Sequence, residues 1–158
     1  FCCNKENLMI RRATISDIED ILSILEPYTK EGIVLKRTHE EIADSIEHFY
    51  VSETEGKLSG VAAYFTYSPL LVEIRSLAVK KSFFAKGIGK RLVKKIIHDI
   101  REINPKVKVF ALTLSPEFFA KCGFKKVEKE TLPEKIWKDC VNCIKQNECD
   151  EIPMVYAE

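Results

Sequence analysis

The sequence predicts a mixed α/β domain of the α+β kind, on three observations. Val72 to Val79 is rich in β-branched and aliphatic residues and reads as a strand. After Gly87-Ile88-Gly89, the residues Ile88, Leu92, Val93, Ile96, Ile97, Ile100 and Ile103 recur at three- and four-residue spacing, the period of an amphipathic helix. Tyr50 to Glu53, Leu58 to Tyr67 and Val72 onward are joined only by Thr54-Glu55-Gly56-Lys57 and a Pro69 break, so they form a three-stranded antiparallel meander leading into the glycine turn.

The chain has 158 residues, 46% of them hydrophobic, enough for one sizeable core and short for two. Residues 8–158 are expected to form a single domain, with 1–7 a disordered or appended start. Lys and Arg number 25 against 24 Asp and Glu, a formal charge of +1, so no global field points to nucleic acid or an anionic membrane. No apolar run reaches membrane-spanning length, and Phe1-Cys2-Cys3-Asn4 lacks the basic start and apolar centre of a signal peptide. The cytoplasm is the expected compartment.

Met9 to Arg12 reads as the first strand. Ser16-Asp17-Ile18-Glu19 has the S-x-x-E capping pattern, so a helix follows with Ile18, Ile21, Leu22 and Leu25 on its buried face and Pro27 as its stop. Thr38-His39-Glu40-Glu41 repeats the pattern for a second helix carrying Ile42, Ile46 and Phe49. Between them, Gly32 allows a turn that holds Lys36 and Arg37 at the second helix's entrance. Asn104-Pro105 ends the long helix, and Val107 to Leu112 makes a buried strand. Ser115 to Gly123 reads as a short helix ahead of a strand over Lys125 to Glu128, with Phe118, Phe119 and Phe124 supplying core. The tail from Leu132 to Tyr156 is expected to add a helix, a turn and a last strand.

A glycine-rich turn that opens a helix presents unpaired N–H groups at the positive end of the helix dipole, which suits a phosphate or pyrophosphate. Gly87 and Gly89 let a ligand approach the main chain. No G-K-[ST] stands at P-loop spacing, and the full G-x-G-x-x-G of a dinucleotide site is missing.

Glu73-Ile74-x-x-Leu77-Ala78-Val79, Ala85-Lys86-Gly87-Ile88-Gly89-Lys90-x-Leu92 and Phe118-Phe119-x-Lys121-x-Gly123-Phe124 follow in order. Together they resemble the central strand, acyl-CoA pyrophosphate loop and F-Y-x-K-x-G-F segment of the GNAT N-acetyltransferases. Ile33-Val34-Leu35-Lys36-Arg37 and Ala111-Leu112-Thr113 are most similar to the acetyltransferase domain of N-acetylglutamate synthases. The resemblance implies a GNAT-like, mostly antiparallel central sheet with helices on both faces, parting where acyl-CoA enters. It implies acetyl transfer from acetyl-CoA to the α-amine of L-glutamate, in arginine biosynthesis, with homodimerisation as a further expectation. Alternatives are a GNAT enzyme for another amine, such as a protein N-terminus or lysine, and a non-catalytic acyl-CoA sensor.

That chemistry needs a neutral amine, a polarised thioester carbonyl and tolerance of the leaving thiolate. By the resemblance, Glu73 is the candidate base and Thr113 the candidate proton donor. Main-chain groups of Leu77, Ala78 and Val79 would polarise the carbonyl. Lys86, Gly87, Ile88, Gly89 and Lys90 would hold the pyrophosphate, and Phe118 and Phe119 would flank the pantetheine arm. Strand alternation puts Arg75 on the face of Glu73. With Lys36 and Arg37 it supplies positive charge for a dicarboxylate. Two departures stand out: Phe119 replaces the usual tyrosine, and Phe84 stands where Arg or Gln is usual. Lys86, Lys90 and Arg91 could offset the second by charge.

The six cysteines are expected to be reduced in a cytoplasmic enzyme. Cys140-x2-Cys143 and Cys149 have metal-ligand spacing but offer three thiolates where a structural zinc takes four ligands, so free cysteines are the expectation, with no catalytic metal.

Overall fold

The computed structural model describes residues 8–84, 86–132 and 151–157. Strands β1 (Leu8–Arg12), β2 (Phe49–Thr54), β3 (Lys57–Ser68), β4 (Leu71–Val79), β5 (Lys108–Thr113), β6 (Phe124–Lys126) and β7 (Ile152–Tyr156) form one sheet in the order β1-β2-β3-β4-β5-β7-β6. Among the described residues only the β4–β5 pair is parallel. The expected meander is present, and the last strand enters between β5 and β6. Four α-helices among the described residues accompany the sheet: α1 (Ile18–Lys30), α2 (His39–Asp44), α3 (Ile88–Ile103) and α4 (Pro116–Lys121). Among the described residues no helix is long and apolar enough to cross a membrane.

Alternation along the strands divides the core between the two faces. Phe49, Val51, Val61 and Ala63 pack with Ile18, Ile21, Ile24 and Leu25 of α1 and Ile42 of α2. Their neighbours Tyr50 and Ala62 point the other way, joining Val72 and Ile74 against Leu92, Val93, Ile96 and Ile97 of α3. Helices therefore cover both faces. Burying each such aliphatic side chain is worth about 1.5–3 kcal/mol, which explains how α3 stays docked although its outward side is lined with lysines.

Three local expectations are revised. Helix α1 is capped further upstream, through a reciprocal Thr14–Asp17 box that begins as a 3-10 turn over Ile15–Asp17. Asp17 also takes two hydrogen bonds from Arg11, which makes it the better partner. Pro27 lies inside α1, which continues to Lys30. The helix stops instead where Gly32 (φ 73) allows the left-handed cap, with Ile33 N–H donating to the Tyr28 carbonyl and Gly32 N–H to that of Thr29. Ile103, at the end of the apolar stripe and the last residue of α3, is 84% exposed and stands outside the core.

The strand β4 carries the irregularity that matters. Gly60 to Val61 pair with Val79 to Ala78, but Ala63 pairs with Arg75, leaving an extra residue in β4. Ser76 takes up that bulge at φ 52, a left-handed conformation that costs a non-glycine residue about 1–3 kcal/mol. The bulge reverses the facing of the side chains: Glu73 and Arg75 point away from α3, yet beyond Ser76 it is Ala78 that packs beneath α1. On its other edge β4 pairs with β5 only from Leu71 to Glu73. Beyond that point the two parallel strands part.

Candidate active site

The parting of β4 from β5 opens a cavity of about 700 Å³. One wall is the end of β4, another is the Leu112–Ser115 exit of β5, a third is the segment from Tyr28 through Arg37, and the N-terminus of α3 closes the far end. Ser59 accepts from Lys80 N–H and Val61 pairs with Ala78, so strand alternation turns the main-chain groups of Leu77 and Val79 away from β3 and toward the opening. A strand edge that has lost its neighbour offers donors and acceptors for an extended amide-bearing arm.

The turn before α3 has the conformation the chemistry requires. Gly87 sits at φ 72 as the helix N-cap, where a Cβ would meet nothing within 4 Å, so the demand for glycine is conformational. At Gly89 a Cβ would approach the Phe118 ring to 3.1 Å, which places that ring directly against the first turn of α3. Lys86 and Lys90 are exposed at the cavity's edge. Ile88 is 2% exposed, so its side chain belongs to the core and only its main chain is available to a ligand. Phe119 is buried against Phe118 and Phe124, while Phe84 is 51% exposed and lines the cavity. This end can hold a polyphosphate by main-chain N–H groups.

The other end is built from side chains. Glu73 is 7% exposed and buried in the cavity wall. Arg75 Nε donates to Glu73 Oε1 at 2.7 Å, and Tyr67 Oη donates to the same oxygen at 3.0 Å. Arg75 Nη2 in turn donates to Tyr67 Oη at 2.7 Å, and its guanidinium lies 4.2 Å over the Phe65 ring centroid. Glu73, Arg75 and Tyr67 thus form a closed triangle stacked on an aromatic face. Strand alternation correctly places Glu73 beside Arg75, but Arg75 holds Glu73 as well as facing the cavity.

The remaining expected residues divide. Arg37 lines the cavity, whereas Lys36 is exposed and lies outside its lining. Thr113 is buried in the lining, where its Oγ1 accepts from Ser115 N–H at 2.8 Å, leaving the hydroxyl proton as its donor. Cys140, Cys143 and Cys149 fall outside the described residues. Sequence reasoning missed Tyr67, although a tight Ser68–Leu70 turn places Phe65 opposite Glu73 and Tyr67 close behind. It also missed Tyr28, which lines the cavity and whose hydroxyl donates to the Val79 carbonyl at 2.7 Å. Burial raises the Tyr28 phenol above its ordinary value, so it stays protonated at neutral pH.

A sheet opened by a bulge beside a glycine turn defines a class of acyl-donor-binding α/β domain. The acetyltransferase (GNAT) domain family matches residues 22–138. An uncharacterized N-acetyltransferase of Chlorobaculum tepidum is 45% identical over 146 residues, covering 92% of this chain and 94% of its own. The amino-acid acetyltransferase of Neisseria meningitidis is 36% identical over 82% of this chain, which spans 30% of that protein's length. Among solved structures, N-acetylglutamate synthase from Neisseria gonorrhoeae, complexed with coenzyme A and N-acetyl-glutamate, superposes with a TM-score of 0.85 at 30% identity. That match covers 99% of this chain and 37% of the other. This chain belongs to the GNAT acetyltransferase family and is an enzyme that takes acetyl-CoA as its acyl donor.

Proposed function

We propose that the acceptor is the α-amine of L-glutamate, and that the product, N-acetylglutamate, serves arginine synthesis. The observation that carries this reading is the acceptor end of the cavity, where the Arg37 and Arg75 guanidinium groups face the same space as the Glu73 carboxylate. Two cations suit a dicarboxylate, and a carboxylate suits an amine that must lose a proton. The coenzyme A and N-acetyl-glutamate bound by the gonococcal relative support it.

In this reading Glu73 accepts the amine's proton, directly or through one water, and the amine nitrogen attacks the thioester carbonyl carbon. Main-chain N–H groups at the open edge of β4 stabilise the oxyanion, preorganised by the Ser76 bulge. The C–S bond then breaks, and Thr113 or solvent protonates the thiolate, whose reference pKa is near ~8.5. Arg37 takes the acceptor's side-chain carboxylate. Arg75 neutralises the negative charge that Glu73 and the acceptor bring together.

A second reading, a peptide amine, is favoured by Ile33 and Leu35, which line the cavity and are 39% and 49% exposed. The test is mass-spectrometric detection of acetylated products from acetyl-CoA and a mixture of free amino acids. Selective N-acetylglutamate supports the proposal. CoA binding without acetylation of any amino acid refutes it and moves the search to peptide amines or a sensor role.

A further inference from the structure

Tyr28 stands where the two ends of the cavity meet. Its side chain reaches across from α1 to β4 and donates to the Val79 carbonyl at 2.7 Å, at the last residue of the strand before the chain turns toward Gly87. Its own carbonyl accepts from Ile33 N–H at 2.9 Å and from Val34 N–H at 3.4 Å, which fixes the start of the segment that carries Arg37. The ring packs against the α1-side core, with Val34 at the same margin. One residue therefore ties the open strand edge, on the donor side, to the loop on the acceptor side.

The Val79 tie is not part of the sheet. Because Ser59 bonds to Lys80 and Val61 pairs with Ala78, the Val79 carbonyl faces the side on which β5 has departed. An acceptor on such an edge is satisfied by a neighbouring strand, a ligand or a side chain. Here the phenol supplies the donor that β5 withholds, so the strand end keeps its direction.

We propose that Tyr28 is a positioning residue that presets the open end of β4 for acyl-CoA and transmits that setting to the acceptor loop. The inference rests on the acyl-donor side of the cavity and not on the identity of the acceptor. Donor binding stiffens β4, the phenol carries the constraint to α1, and the capped end of α1 carries it to Ile33 and Val34. Tyr28 touches no reacting atom in this role.

The test compares Tyr28→Phe with Tyr50→Phe, each of which loses one phenolic hydrogen bond, the second being the 2.6 Å bond to Asp99 away from the cavity. Calorimetric titration with CoA should show a dissociation constant raised roughly five- to tenfold in Tyr28→Phe, the weight of one neutral hydrogen bond, and unchanged in Tyr50→Phe. Equal affinity in Tyr28→Phe and wild type, tighter binding in Tyr28→Phe, or equal weakening in both variants would overturn the proposal. Hydrogen exchange on the unaltered protein tests the coupling without any variant. CoA should slow exchange at the Ile33 and Val34 amides together with the β4 end, and protection confined to β4 and the glycine turn refutes the link.

Discussion

In the proposed reaction the two ends of the cavity recognise their ligands by different means. At the donor end the groups facing the cavity are main-chain atoms: the turn at Gly87, the first turn of α3 and the edge of β4. At the acceptor end they are side chains: Glu73, Arg75, Tyr67 and Arg37. A main-chain cradle depends on backbone shape and tolerates Phe84 and Phe119 in place of more usual residues. A side-chain triangle depends on each member, because removing one leaves buried charge or an unsatisfied hydroxyl behind.

The largest expected effect is on the acceptor side. Glu73→Gln should lower kcat by about 10²–10⁴-fold, the usual worth of a general base, while CoA affinity changes little; a comparable fall in CoA binding would erase the distinction between the two ends. Arg37→Ala comes next, raising KM for glutamate by about 10–100-fold, as loss of a charge-assisted hydrogen bond worth about 1.5–3 kcal/mol implies. A KM left unmoved would shift carboxylate binding onto Arg75 alone. On the donor side, Gly87→Ala adds no clash and pays only for its left-handed backbone, about 1–2 kcal/mol. It should weaken CoA binding up to about tenfold, and unaltered affinity in a calorimetric titration would count against the main-chain cradle. The smallest effect belongs to Lys86→Ala: an exposed charge contributes about 0–1 kcal/mol, so CoA affinity should fall less than about fivefold and the loss should vanish at high salt. A larger, salt-resistant loss would mean that side chains carry the donor end as well.

Asp17 offers a check outside the cavity. The Arg11 guanidinium holds its carboxyl below the ordinary carboxylate value, with burial opposing and Thr14 N–H assisting. A depressed folded-state pKa gives stability that is full above the unfolded value and lost as pH falls through the folded one. Melting temperature should therefore drop below about pH 4, and less steeply in Asp17→Asn. Catalytic pH dependence near neutrality should be the same in both proteins.

Much of the fold was legible because its signals are local. The apolar spacing of α3, the Thr38 capping box and the alternation of β3 each report on residues a few positions apart, and each element starts close to where it is expected, although α2 ends at Asp44, Ile46 falls in a separate 3-10 turn and Phe49 opens β2. Pro27 misled because a proline removes the bond its own N–H would make to the preceding turn but need not end a helix, and α1 runs past it to the cap at Gly32. Glu73 and Arg75 could be placed on one face from alternation alone, while their hydrogen bond to each other is seen only in the structure. Tyr67 and Tyr28 could not, since their partners lie across a turn or 51 residues away.

By itself the sequence determined the class of chemistry. A strand, a glycine turn and an amphipathic helix in succession are written in residues that act through their own backbone preferences, and the acyl-CoA motif depends on little else. Only the tertiary structure decided how the cavity is made and held. The Ser76 bulge reverses the side-chain facing of β4, β5 leaves it after Glu73, and Arg75 is locked between Glu73, Tyr67 and Phe65. These are outcomes of competition among distant packing and hydrogen-bonding partners, and no local spacing encodes which of them wins.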